Sequence, residues 1–208
     1  MCRGEIENAS SQHTYTSQQK TKNRKYASMK DTYTFCGDTY TVDARNKGLY
    51  TPILKSILGV LYTARDNWGR VLVIRLDLHH KDLHTEDSKH ISKFFKNLIR
   101  KLERAYNTKL LYVWAREVGR KEQGQHYHCA LFMDGNKVNQ SYKVLEIAEK
   151  TWPYHFSKPQ NPYYHIDSPE IMQEAVFRLS YLAKVNTKGK RKPEVHDYGC
   201  SRIGKNYK

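Results

Sequence analysis

Two strand-like runs, KLLYVWAREV (109–118) and HYHCALFM (126–133), are joined by the polar stretch GRKEQGQ (119–125), and this arrangement constrains the chain most. Apolar, β-prone runs around a short polar connection predict an antiparallel hairpin. Successive strand side chains point to opposite faces, so His126 and His128 project together. The turn folds the end of the first strand back beside them, which lets the Glu117 carboxylate approach the same face. Glu122 is nearer in sequence but falls in the turn, and a strand holds a ligand more rigidly, so Glu117 is preferred. The plainer reading of Glu117 is a strand-end carboxylate paired with Arg116 or Arg120.

A His-x-His is unremarkable in a chain with ten histidines, so its surroundings decide its meaning. Two imidazoles and a carboxylate with positions left open suit Mg²⁺ or Mn²⁺ holding a phosphate oxygen, and Zn²⁺ would also accept these ligands.

The length, 208 residues, suits one domain with a real core. Residues 1–48 are polar, with little apolar periodicity, and read as a mobile N-terminal arm in which TYTFCGDTYTV (32–42) forms a short hairpin. The expected domain occupies 49–186. Thr51 and Pro52 start a helix running to about Ala64, and GRVLVIRLDLH (69–79) is a central strand. Ile91, Phe94, Phe95, Leu98, Ile99 and Leu102 recur at helical spacing, predicting an amphipathic helix to about Tyr106 with a basic outer face. A helix is expected over 141–151, an edge strand over 162–167, and a last helix from Ser168 to about Val185. Residues 187–208 form a basic tail. The order β, α, β, β, α, β, α predicts an α+β fold: a central antiparallel sheet with helices packed on one face, of ferredoxin-like or RRM-like kind.

Charge narrows the partners. Thirty-six Lys and Arg against 21 Asp and Glu give a net charge of +15, and 16 tyrosines accompany them. Phosphate attraction with base stacking favours nucleic acid as the polyanion, and the plainer reading is a basic protein that merely stays soluble or sits on anionic lipid. The longest apolar stretches are too short to cross a bilayer, so no membrane partner is expected. No secretory signal is visible, and four widely spaced cysteines without Cys-x-x-Cys suit a reducing cytoplasm. The sequence has no G-x-x-x-x-G-K-[ST] phosphate loop.

RLSYLAKVNTK (178–188) offers a nucleophile. On a continuous helix Arg178, Tyr181 and Lys184 share a face, while Ile171, Ala175, Leu179 and Leu182 point inward. Tyr181 would then face solvent between two cations, which favours its phenolate, and Lys184 would steady phosphate charge. Tyr-x-x-Lys also occurs at Tyr106 and Lys109, and a helical tyrosine beside basic residues is more often a packing residue.

Taken in order, RLDLH (75–79), AREVGRKEQGQHYHCALF (115–132) and YLAK (181–184) resemble motifs one, two and three of the HUH endonucleases, metal-dependent enzymes that start rolling-circle replication. Within that superfamily the chain is most similar to the inovirus gene-two-protein family and its prophage-encoded relatives. The resemblance spans about 50–202, including GCSR (199–202).

The resemblance implies the HUH fold and matches His126, His128 and Glu117 to the metal ligands, Tyr181 to the nucleophile and Lys184 to the lysine one turn beyond it. Two positions are individual: Tyr127 stands between the histidines where an aliphatic is common, and Phe177 stands where a two-tyrosine initiator has its second tyrosine. The implied activity is nicking and joining of single-stranded origin DNA through a 5′-phosphotyrosyl link in the cytoplasm of a bacterial host, with a host helicase opening the duplex. Arg178, Lys188, Lys190, Arg191 and Lys192, with Lys93, Lys96, Arg100 and Arg104, are the expected DNA-binding cations. The alternatives are a transposase or relaxase of the same superfamily, or a non-catalytic basic nucleic-acid-binding module.

Overall fold

The computed structural model describes residues 26–45, 47–80, 87–118, 125–185 and 196–207. Its centre is a six-stranded antiparallel sheet made of β5 (Val71–His80), β6 (Leu111–Val118), β7 (Gln125–Asp134), β8 (Phe156–Ser157), β9 (Tyr163–Ile166) and β10 (Tyr198–Cys200). The strands run in the order β10-β6-β7-β5, and β8 and β9 both pair with the free side of β5. The α+β, ferredoxin-like arrangement expected from the element order is present.

Helices cover both faces of this sheet, rather than one. Helices α1 (Thr51–Trp68) and α4 (Pro169–Leu179) pack on the face carrying Val71, Val73, Val113, Ala115, Ala130 and Phe132. Helices α2 (Lys89–Tyr106) and α3 (Tyr142–Glu149) cover Leu72, Ile74, Leu76, Trp114, Cys129 and Leu131 on the other. The reason is legible in β5 itself. VLVIRLDLHH is apolar at most positions of both parities, the signature of a strand buried on two sides.

Helix α1 is apolar around much of its circumference because it is sandwiched in turn. Its outer side meets the hairpin of β2 (Thr32–Phe35) and β3 (Asp38–Thr41), where Phe35 packs edge-on against Tyr62 at 5.2 Å and Tyr40 bonds the Tyr62 hydroxyl at 2.7 Å. The hairpin turns through Cys36 and Gly37 with φ of 52° and 90°, the paired positive values that match strand twist. The predicted hairpin therefore forms, but instead of belonging to a mobile arm it buries Phe35, Tyr40 and Val42 in the core. Short strands β1 (Ala27–Ser28) and β4 (Leu49–Tyr50) pair beside it. Residues 1–25 lie outside the described residues.

The C-terminal segment differs from expectation in the same direction. β10 pairs with β6 in the register Tyr198↔Ala115 and Cys200↔Val113, and Ile203 and Tyr207 pack against the α1 side of the core. The cations Lys188, Lys190, Arg191 and Lys192 fall outside the described residues.

Candidate metal centre

Register builds the site. β7 pairs with β6 so that His126 faces Glu117, and with β5 so that Asp77 faces His128 and His79 faces His126. All five side chains lie on the face shared with α1 and α4, because each is an even number of residues along its strand from a core residue of that face.

Glu117 Oε2 stands 3.0 Å from His126 Nε2 and 3.1 Å from His128 Nε2, and candidate ligand atoms of the three residues all lie within 4.8 Å of one another. The three residues predicted from the hairpin are therefore brought together. Glu117 is buried at 4% exposure. Arg116 occupies the opposite face, over the Tyr127 ring at 5.4 Å, with its guanidinium donating to the Asp87 carbonyl. Glu122 and Arg120 lie outside the described residues.

The donor set fits a divalent cation. His128 Nε2 is buried and has no partner at hydrogen-bonding geometry, although the Glu117 oxygen is close. A buried lone pair aimed at a carboxylate is costly unless a proton on Nε2 or a metal cation joins them.

Sequence reasoning left out the carboxylate behind this ring. Asp77 Oδ1 lies 2.6 Å from His128 Nδ1. Burial alone would raise the Asp77 carboxyl, but His128 outweighs it and holds the pKa below the ordinary range. Burial alone would likewise lower the His128 imidazole, yet Asp77 and Glu117 raise it above its ordinary value. His79 stacks on His126 with centroids 5.4 Å apart and bonds Ser157 Oγ at 2.8 Å. Burial, then the neighbouring His126 and His155, depress its pKa. The alternation within RLDLH places Arg75, Asp77 and His79 on one face, a signal available in the sequence once the strand register is known.

Tyr181 arrives from a different part of the chain. Its ring packs edge-on against His128 at 5.1 Å, Arg75 lies 5.3 Å from its centroid, and 41% of the residue is exposed. It does not sit on a continuous helix. α4 ends at Leu179, and Ser180–Ala183 tighten into a 3₁₀ turn before Lys184 becomes extended. Ser180 Oγ bonds the Phe177 carbonyl and accepts from the Asp43 amide, tying this break to the segment before α1.

The break changes how the cations expected beside Tyr181 are engaged, although Lys184 Nζ stays 6.0 Å from the ring centroid. Lys184 turns inward, 3.0 Å from Asp43 Oδ2, and donates to the Arg45 carbonyl. Arg178 stays exposed and donates to the Tyr164 hydroxyl at 3.1 Å. Arg75, at 5.3 Å from the Tyr181 centroid, lies closer to that ring than Lys184 Nζ at 6.0 Å. The phenolate is not favoured as expected. Burial, then Glu117, raise the Tyr181 pKa despite the opposing Arg75.

Two other candidates lie across the sheet. Tyr106 ends α2 against the far-face core, and Lys93, Lys96, Arg100 and Arg104 line the exposed side of that same helix. Among the described residues no helix is long and apolar enough to cross a membrane.

No curated protein and no solved structure matches the chain. Residues 30–201 match the YagK/YfjJ C-terminal domain, a span that holds the hairpin β2–β3, the candidate metal-binding group Glu117, His126 and His128, Tyr181 and β10, and the chain belongs to that prophage-associated family.

Proposed function

We propose that the protein is a metal-dependent endonuclease of the HUH kind, which nicks and rejoins single-stranded DNA with Tyr181 as nucleophile. The observation that carries this reading is the convergence of an exposed tyrosine on a buried Glu-His-His group, the ring of Tyr181 lying 5.1 Å from that of His128. Glu117, His126 and His128 would hold a divalent cation, Mg²⁺ or Mn²⁺, which would supply Lewis-acid polarisation of a non-bridging phosphate oxygen.

The chain's own residues do the rest. Tyr181 Oη gives up its proton and attacks phosphorus, the bond from phosphorus to the 3′-side oxygen breaks, and that oxygen takes up a proton. The products are a free 3′-hydroxyl and a 5′-phosphotyrosyl link. No water is consumed, so reversal of the step rejoins the ends. Arg75 holds positive charge beside the ring as the phenolate forms, and Asp77 fixes the orientation of His128. Glu117 opposes the ionisation of Tyr181, and that opposition would be relieved when Glu117 serves as a metal ligand.

The substrate in the cell would be a replication origin in a bacterial host, opened by a host helicase, since the sequence holds no phosphate loop for a motor of its own. Incubation with a single-stranded oligonucleotide and Mn²⁺ should yield a covalent adduct in a denaturing gel. EDTA and Tyr181→Phe should each abolish it. An adduct that persists in Tyr181→Phe would overturn the assignment, and DNA binding indifferent to EDTA without scission at any metal concentration would favour a non-catalytic binding module.

A further inference from the structure

A groove of about 420 Å³ lies on the face opposite the metal centre, between α2 and the segment 151–154. Lys89, Lys93 and Asn97 line it along one side at four-residue spacing, about 6 Å apart along the helix, and Trp152, Pro153 and Tyr154 line the other. Tyr154 is 39% exposed, and its ring is held from behind by His80 at 3.8 Å and Trp152 at 5.2 Å. No carboxylate lines this groove among the described residues, whereas the neighbouring hollow beside α3 is lined by Glu146 and Glu149. Lys89 does meet Asp87 at 3.2 Å, but both side chains are exposed and water screens the pair.

The groove connects with the metal centre around the end of β5. Trp152 Nε1 donates to the His79 carbonyl, and the His79 amide donates to the His155 carbonyl, so residues 152–155 are strapped to one strand residue. The His155 ring lies 5.1 Å from that of His79, which stacks on the metal-ligand candidate His126. A run of side chains from Tyr154 through His155 and His79 thus reaches from one face of the sheet to the other.

We infer that this groove binds the flank of the same single-stranded DNA, with a base stacked on Tyr154 and phosphates on Lys89 and Lys93, an assignment that rests on the reading of the metal centre as a DNA-cleaving site. An exposed aromatic ring held rigidly beside cations without competing carboxylates is the combination that binds single strands without reading sequence. Its place beyond the end of β5 makes it an extension of the cleavage site, reached only by a strand long enough to pass His155.

Fluorescence anisotropy in EDTA, with the full chain and a short oligonucleotide compared with versions extended on either side, tests this. The wild type should bind one extended version more tightly than the short one. Tyr154→Leu should weaken that binding about fivefold or more, Tyr154→Phe should keep it, and Lys93→Ala should flatten the log affinity against log salt slope by about 0.7. Thermal unfolding of each variant checks that it is folded. Equal wild-type affinity for short and extended strands, or an unaltered Tyr154→Leu, overturns the groove. Scission by the wild type with Mn²⁺ is scored separately: cleavage without length dependence sinks the groove alone, and neither binding nor cleavage sinks the reading of the metal centre as well.

Discussion

Asp77 accepts the Nδ1 proton of His128 across 2.6 Å, and this one hydrogen bond decides which nitrogen of the ring is available to a metal. Held ionised by its neighbour, Asp77 can only accept, so in the neutral imidazole the proton sits on Nδ1 and the lone pair on Nε2. Nε2 is the atom 3.1 Å from Glu117. Asp77→Ala should therefore weaken Mn²⁺ binding about 10–100-fold by isothermal titration calorimetry, with a smaller loss for Asp77→Asn, which keeps an acceptor. Unchanged affinity in Asp77→Ala would mean that His128 is oriented by packing alone.

The same carboxylates set opposite pH dependences for the metal-free and metal-loaded protein. The folded pKa of His128 is raised above its ordinary 6.5. Its contribution to metal-free stability is therefore full below 6.5 and is lost as pH rises through the folded value. Metal binding runs the other way, because the proton competes for Nε2. The rise in melting temperature produced by Mn²⁺ should accordingly grow as pH increases from about 6 towards 8. A stabilisation independent of pH would remove His128 from the ligand set.

Much of this site was legible because its spacing is local. Glu117, His126 and His128 lie on two paired strands close together in sequence, so strand periodicity and a short connection suffice to bring them together. Asp77 and His79 were not placed, because they depend on the pairing of β5 with β7, a contact between strands roughly fifty residues apart that periodicity does not specify. The second covered face follows from the apolar residues of both parities in β5, and alternation within single motifs concealed it. The helix break at Ser180 depends on Asp43, 137 residues away in sequence, so helical spacing alone grouped Arg178 with Lys184 on a shared face that the structure divides.

Lys184 and Asp43 form a latch whose loss should appear first in stability. Both side chains are nearly buried, at 10% and 12% exposure, whereas Arg45, the other cation on Asp43, is 77% exposed. Lys184→Met should cost about 1–3 kcal/mol in urea unfolding, because it leaves the carboxylate with only a solvent-screened partner. An unchanged midpoint and slope would show that the pair contributes nothing.

Acid should open the same latch. The contact with Arg45, followed by Lys184 against the opposing effect of burial, brings the Asp43 pKa down from 3.8 to about 2. A depressed carboxylate contributes stability that is present above its unfolded value and lost as pH falls through the folded one, so the window runs from about 4 to about 2. Asp43→Asn should flatten the stability profile there relative to wild type. Parallel profiles would assign the acid sensitivity to other groups.

Gly199 tests whether the last strand is part of the domain that holds the site. It sits opposite Trp114 in the β10–β6 pairing, and a Cβ there would stand 2.7 Å from Trp114 Nε1 and 2.8 Å from Cε2 and Cζ2. The indole has little room to retreat, being buried and packed edge-on against Tyr127 at 5.7 Å. Gly199→Ala must then either strain the core or lift β10 away from β6, at a cost of about 1–3 kcal/mol, which corresponds to several degrees in melting temperature for a chain of this length. Lifting β10 would also release the hydrogen bond from the Arg116 amide to the Asp197 carbonyl, on the residue next to Glu117. The variant should consequently lose Mn²⁺ affinity along with stability, and hydrogen exchange should rise at Val113 and Ala115 before it rises in the β5–β7 pair. A fully stable Gly199→Ala with unaltered exchange would mean that β10 is not held against β6 in solution.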